Sequence, residues 1–323
     1  MPGRFAPSPT GPLHVGNLRT ALIAWLLARS AGDEFRLRME DLDRVTSSPE
    51  HERAQLADLA AMGIDWDGDV WRQSERFDLY EDALGDLHRA GRTYECFCSR
   101  REIRESAAAP HGDGGLIYSG RCRRLTDRRR AELRQRRVPA VRFRADSDPI
   151  AVDDLVVGHV EGLPWDVVLR RNDGVPAYNL AVVVDDDAAS IDLVARGDDL
   201  LATTPSQAAI GHALGLPSPR YAHVPLVVGA DGRRLAKRDG AITLAQLAAE
   251  GVDAGAVRSA LARSIGIAGV GETLPAADLV HRFDVTTLRQ ASSVPMFVGD
   301  LLGPLGRAQH SSPEVPETSP LHW

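Results

Sequence analysis

Residues 3–31 read GRFAPSPTGPLHVGNLRTALIAWLLARSA, and the fold follows from this stretch. Residues 3–7 suit a short strand, and Pro7, Pro9, Gly11 and Pro12 make the next segment a loop. From Leu18 to Ala31 the apolar residues Leu22, Ile23, Leu26 and Leu27 recur at helical spacing, and Gly32 ends the run. In EFRLRMEDLD, Phe35, Leu37 and Met39 alternate with Arg36, Arg38 and Glu40, which predicts a strand with one apolar and one polar face. Amphipathic helices are expected near 49–63 and 75–91, with Gly63 and Gly91 at their ends. Strand, helix, strand, helix in this order predicts an α/β fold with a doubly wound parallel sheet.

A cysteine-bearing, arginine-rich segment then breaks the rhythm and predicts an inserted subdomain over 95–145. The α/β pattern resumes with DVVLRR, the turn NDG and an apolar stretch through Val184. The strand IDLVARG, a helix from Thr204 to Leu214 and an apolar strand before the loop ending at Gly240 come next. The catalytic domain is expected in two halves, 1–94 and 146–240, with a helical region over 241–305. The polar, Pro-rich tail 306–323 is expected to be disordered.

The net charge of -7 excludes a globally basic nucleic-acid binder, so any such contact needs a local patch. Arg121, Arg123, Arg124, Arg128, Arg129, Arg130, Arg134, Arg136 and Arg137 form one. As a bare charge run it fits a solvated face as well as a phosphate-tracking surface. No run approaches the roughly 20 apolar residues of a membrane helix, and MPGRFAPSPT lacks a signal-peptide layout, so a cytoplasmic protein is expected. Three cysteines, Cys96, Cys98 and Cys122, speak against a disulfide framework. Three thiolates with one further ligand would make a structural zinc site, and His111 is the fourth ligand the usual pattern would supply. Of 38 basic residues, one is lysine, Lys237. Either it survived by chance, or its position needs a compact, mobile ammonium.

PSPTGPLHVGNLRTA is also a strand-to-helix junction carrying His14, Gly16 and Asn17. A helix N-terminus offers N–H groups and partial positive charge to phosphate, Gly16 leaves room for a flat base, and His14 can donate to a phosphate oxygen. The quartet His14, Val15, Gly16, Asn17 resembles the HIGH signature of class I aminoacyl-tRNA synthetases, in the form of the glutamyl enzymes. RLAKR, residues 234–238, is similar to the KMSKS loop of that class. It departs at Arg234 and Ala236, and its functional lysine falls on Lys237.

The resemblance implies a Rossmann-like class I catalytic domain with a zinc-binding insert and a short helical C-terminal region. It makes His14 and Lys237 catalytic, and His14, Gly16, Asn17 and Lys237 the ATP site. RFAPSPTG, similar to the family's amino-acid-holding loop, puts glutamate against Arg4, Phe5, Ala6, Pro7 and Ser8. Glu40, Tyr178 and Arg196 match further substrate positions, with Glu40 on the α-amino group. YSGRC resembles half of the zinc site in the family's glutamyl-Q branch, which makes Tyr118 rather than His111 the ligand beside Cys96, Cys98 and Cys122.

Fewer than ninety residues follow KRDG, so the chain resembles the catalytic body without an anticodon-binding region. That implies transfer of glutamate, activated by ATP with Mg, to the queuosine base of tRNA(Asp) by a monomer with one structural zinc. A truncated conventional glutamyl-tRNA synthetase and an inactive RNA-binding paralogue are the alternatives.

Overall fold

The computed structural model describes residues 1–99, 101–103, 118–228, 242–291 and 296–297. The chain opens with β1 (Gly3–Phe5), α1 (Val15–Arg29), β2 (Phe35–Met39), α2 (Pro49–Ala61), β3 (Trp71–Arg72) and α3 (Phe77–Arg89). Then come β4 (Thr93–Cys96), α4 (Asp127–Arg134), β5 (Ala140–Phe143), β6 (Ile150–Asp154), β7 (Gly158–Gly162) and β8 (Val168–Arg170). The second half contains α5 (Tyr178–Ala188), β9 (Leu193–Gly197), α6 (Thr204–Leu214), β10 (Arg220–Val224) and β11 (Val227–Val228). The C-terminal elements are α7 (Leu244–Ala249), α8 (Ala254–Arg263), α9 (Ala276–Arg282), α10 (Val285–Ala291) and β12 (Met296–Phe297).

Seven strands form the main sheet in the order β3-β2-β1-β9-β10-β6-β7. All neighbours are parallel except the hairpin β6–β7 at one edge. Strand alternation divides the sheet chemically. Phe5, Phe35, Leu37, Met39, Leu193, Ala195, Ala222 and Val224 join one apolar core with α1 and the C-terminal helices. The alternate positions Arg4, Arg38, Arg196 and His223 share the opposite face, and all four are buried. The face read as polar in EFRLRMEDLD is therefore polar but not solvated at Arg38.

The insert differs from the expected 95–145 block. β4, β5 and β8 make a separate three-stranded antiparallel sheet, while β6–β7 returns to the main sheet between them in sequence. DVVLRR thus belongs to the small sheet. Its apolar pattern marks a strand but does not encode which sheet that strand joins. The tail over 306–323 lies outside the described residues.

Gly63 and Gly91 follow α2 and α3 with φ of 73° and 70°. A Cβ on Gly63 would sit 2.9 Å from the Ala276 Cβ of α9, whereas one on Gly91 would meet nothing within 4 Å. Gly91→Ala is expected to cost about 1 kcal/mol of left-handed strain. Gly63→Ala is expected to cost about 2–3 kcal/mol, because overpacking adds to that strain. Urea midpoints at constant m-value check this, and equal losses would mean that α2 and α9 are not in close contact.

Candidate active site

β1 lies between β2 and β9, so the chain direction across the sheet reverses there, and in open α/β sheets ligands bind at such a switch point. A cleft of about 720 Å³ opens at that place. Arg4, Phe5, Ala6, Pro7, Ser8, His14, Gly16, Asn17, Glu40, Tyr178 and Arg196 all line it. A smaller cavity of about 290 Å³ lies behind Asp186 and Arg196, walled by Val182, Val194, Ala208 and Tyr221, and takes in none of the loop residues. Lys237, with Arg234 and Ala236, lies outside the described residues, as does His111. The segment bearing Lys237 leaves the described structure at Val228 and re-enters at Ile242. Its exit adjoins Val227, which lines the cleft. At its return the Val15 N–H donates to the Ile242 carbonyl at 2.9 Å, and His14 forms a β-bridge with Thr243.

At this end of the cleft His14 caps α1. Its Nδ1 accepts from Gly16 N at 3.1 Å and Asn17 N at 3.2 Å, while Asn17 Oδ1 accepts from His14 N at 3.4 Å. Leu18 N bonds the His14 carbonyl. The four first-turn N–H groups are therefore already partnered, contrary to the expectation that they wait for phosphate. With Nδ1 an acceptor, the proton of the neutral ring sits on Nε2. Gly16 matters for the same reason: a Cβ there would lie 2.9 Å from the His14 ring.

At the other end, Arg4 donates to both Asp186 oxygens at 3.0 and 3.2 Å and to the Ala195 carbonyl at 3.2 Å. Its bidentate fork is thus engaged by Asp186. Of its five N–H donors, two remain. Arg38 donates to Asp186 at 2.6 Å and to Glu40 at 3.3 Å. Arg196 donates to His223 Nε2 at 3.0 Å, Gln207 Oε1 at 2.7 Å and Thr204 Oγ1 at 2.8 Å. Because His223 Nε2 accepts, its proton sits on Nδ1, which donates to Asp154 at 2.6 Å. Every direct partner of Arg196 among the described residues is therefore neutral, and Asp154 stands behind the imidazole.

The charges follow from these contacts. Burial would raise Asp186, but Arg4 and Arg38 outweigh it and hold the carboxyl below its usual range. Burial raises the Glu40 carboxyl, and Arg38 and Arg4 offset this only in part. Burial lowers His223, which Asp154 opposes and Arg196 reinforces, so the ring stays neutral. Burial and the neighbouring Glu40 raise the Tyr178 phenol.

Sequence reasoning missed Asp186, Arg38, Gln207, Thr204 and His223. It also missed Gln55, whose amide pins the loop by donating to Ser8 O at 3.0 Å and Gly11 O at 2.7 Å. The acids of VVVDDD were a visible signal, since buried arginines on neighbouring strands need carboxylates nearby.

Outside the cleft, the sulfur atoms of Cys96, Cys98 and Cys122 lie within 4.8 Å of one another. Cys98 Sγ is 3.5 Å from Cys122 Sγ and 3.8 Å from the Tyr118 hydroxyl. Zinc–sulfur bonds of about 2.3 Å give a tetrahedron edge of about 3.8 Å, so the thiols fit a zinc ion. Tyr118 is brought to the cluster by Cys122 N, which donates to its oxygen at 2.7 Å, and by Arg142, 3.9 Å above its ring. Most of the arginine cluster is paired locally: Arg128 and Arg129 with Glu132, Arg130 with Asp127, Arg134 with Glu95 and Arg137 with Glu102. Arg123 is a buttress bound to Asp166 and the Ala145 carbonyl.

The parallel sheet, the capped helix and the cleft at the switch point fit the catalytic domain of a class I synthetase. The chain belongs to the family of class I tRNA synthetases (E and Q), whose catalytic-domain model matches residues 2–300. It is 54% identical over 287 residues to a glutamyl-Q tRNA(Asp) synthetase from Nocardia farcinica, covering 88% of this chain and 90% of that protein. It is 49% identical over 272 residues to one from Cutibacterium acnes, covering 84% and 77%. Among solved structures, a glutamate tRNA ligase from Elizabethkingia meningosepticum in complex with its amino acid superposes with a TM-score of 0.76 at 25% identity. That match covers 92% of this chain and 66% of the ligase chain, just under two thirds of its length. The protein is thus a ligase, and no described helix is long and apolar enough to cross a membrane.

Metal analysis of purified protein is expected to find zinc in an about equimolar ratio to chain, as a closed four-ligand site implies. Cys98→Ser should lower zinc content and melting temperature together. Wild-type protein free of zinc and equally stable in chelator would show that the thiols are merely packed.

Proposed function

We propose that this protein uses ATP to convert L-glutamate to glutamyl-adenylate and passes the glutamyl group to the queuosine base in the anticodon of tRNA(Asp). One observation carries the amino-acid part: a buried guanidinium with only neutral direct partners, Arg196, shares a cleft with the carboxylate of Glu40. An anionic side chain suits the first and an α-ammonium group the second. Arg4, with two N–H groups unspent, and Tyr178 also line this cleft and complete the recognition of the side-chain carboxylate. The acceptor is supported by the glutamyl-Q relatives, one of which the chain matches over 90% of its length.

The substrate's α-carboxylate attacks the α-phosphorus, forming the acyl–phosphate bond while the bond to pyrophosphate breaks. The nucleophile is already an anion, so no general base is required. What the protein supplies is positioning and stabilisation of charge moving onto pyrophosphate. His14 donates through Nε2–H, and Lys237 adds its ammonium from the segment anchored beside α1. A Mg ion arriving with ATP would neutralise phosphate charge. Cys96, Cys98, Cys122 and Tyr118 would hold a zinc ion that organises the small lobe, away from the reacting groups. Arg121, Arg124 and Arg136 are exposed and make no side-chain hydrogen bond or close ion pair among the described residues, Arg136 meeting Glu132 only through longer-range charge, so they are the cluster members most available for tRNA phosphates.

Glutamate-dependent pyrophosphate exchange without tRNA tests the activation step. Lys237→Ala is expected to lower its kcat about 10²–10³-fold, as loss of a transition-state donor does. An unchanged rate would remove Lys237 from the chemistry. The pH dependence has a definite sign. Glu40, raised by burial, takes up a proton nearer neutrality than an ordinary glutamate, so KM for glutamate should climb early as pH falls. Glu40→Gln should give a KM about 10–100-fold higher, and flat over that range, because a charged hydrogen bond is lost. A variant that keeps the wild-type profile would contradict the assignment. Replacing Arg121, Arg124 and Arg136 together by Ala should weaken tRNA binding and reduce the salt slope by about 2. An unchanged slope would make the cluster a solvated face.

A further inference from the structure

We infer that Asp186 is the positioning residue of the amino-acid pocket: it fixes Arg4 directly and Glu40 through Arg38, and it takes up the charge of Arg4. Arg196 is then left as a cleft-lining guanidinium with no carboxylate hydrogen-bonded to it among the described residues. The inference deepens the reading of this cleft as a glutamate site and rests on it.

The geometry is specific to one carboxylate. Asp186 Oδ1 accepts from Arg4 Nε at 3.0 Å and Arg38 Nη1 at 2.6 Å, while Oδ2 accepts from Arg4 Nη2 at 3.2 Å. Both arginines are buried. Arg38 lies two residues before Glu40 and holds its Oε1 through Nη2 at 3.3 Å. The side-chain end of the pocket, at Arg4, and the α-amino end, at Glu40, are thus mounted on the same anion. The long Arg38–Glu40 contact, against the short Arg38–Asp186 one, has a consequence. Asp186 draws Arg38 away from Glu40 and leaves the Glu40 carboxylate open to a substrate cation.

The adjacent carboxylate is a natural control. Asp185 is as deeply buried, but it accepts from Gln73 Nε2 at 3.0 Å, Arg76 Nε at 2.7 Å and Tyr80 Oη at 2.8 Å. None of these three partners lines the cleft. It meets Arg38 Nε only at 3.6 Å, an ion pair without a hydrogen bond and longer than the 2.6 Å contact of Asp186. Asp185 therefore ties α5 to α3 and the turn before it, whereas Asp186 ties α5 to the substrate pocket.

Asp186→Asn leaves Arg38 to close on Glu40, so the α-ammonium site is filled from within and Arg4 loses its fixed orientation. In pyrophosphate exchange with the full-length protein, KM for glutamate is expected to rise about tenfold or more, with KM for ATP within about twofold. The acid limb of the glutamate KM profile should move to lower pH, since Arg38 then stabilises ionised Glu40 more strongly. Asp185→Asn should lower the melting temperature while leaving KM for glutamate within about threefold. Should Asp186→Asn fail to fold, Asp186→Glu keeps the charge and displaces it by a methylene. It should raise KM for glutamate selectively in a folded protein. Equal effects of Asp185→Asn and Asp186→Asn on KM, or a proportionate rise in KM for ATP, would overturn the inference. Wild-type protein with no glutamate-dependent exchange would instead remove the glutamate reading itself. Wild-type exchange, with KM for glutamate unchanged in both Asp186 variants, would remove only the role of Asp186.

Discussion

A buried carboxylate between two buried arginines, Asp186 between Arg4 and Arg38, is the constraint on which the catalytic half of this structure depends. The strands β1, β2 and β9 each turn an arginine toward the face covered by α5, because their alternate positions are committed to the apolar core around α1. Desolvating a guanidinium costs several kcal/mol unless an anion meets it. A helix laid on that face must therefore bring acids, and α5 ends in them. The same pairing decides which arginine still presents unmatched charge to the cleft. Arg4 and Arg38 are answered by Asp186, whereas Arg196 is held in place by Gln207, Thr204 and a neutral His223.

The two ends of the cleft are prepared in different ways. The end proposed for the amino acid is a polar network whose donors are already held by hydrogen bonds, an arrangement that reduces the entropy lost on binding. At the other end, the His14 ring accepts from two N–H groups of the α1 N-terminus. Gly16 makes that posture sterically possible. The described residues on either side of the segment bearing Lys237, Val227 and Ile242, both adjoin this turn.

Much of this was legible in the sequence, for physical reasons that also mark where legibility stopped. Helical and strand patterning found α1, β2 and α6, because each contributes regularly placed apolar residues to a core. Alternation could not say that the second face of β2 is buried as well, since Arg38 reads alike in water and in an ion cluster. The strand of DVVLRR was recognisable, but its partner was not, because pairing is a long-range property. Residues tied to the substrate loop by motif, such as Arg4, Glu40 and Arg196, line a common cleft. Their supports Asp186, Gln207 and His223 carry no motif and emerge only when the strands are set side by side. Within the arginine cluster, local acids such as Glu132 and Asp127 neutralise several members, which a count of positive charge conceals.

The central claim is that glutamate activated in this cleft goes to a modified base rather than to a terminal ribose. The most direct measurement incubates the protein with radiolabelled glutamate, ATP and tRNA(Asp) whose 3′ end has been closed to esterification. Preparations with and without queuosine are compared, the queuosine diol being protected during that treatment. Label retained on queuosine-containing tRNA(Asp) and absent from the queuosine-free preparation is the expected result. Label that appears only on tRNA with an intact 3′ ribose, irrespective of queuosine, would contradict the account and assign the chain to conventional aminoacylation.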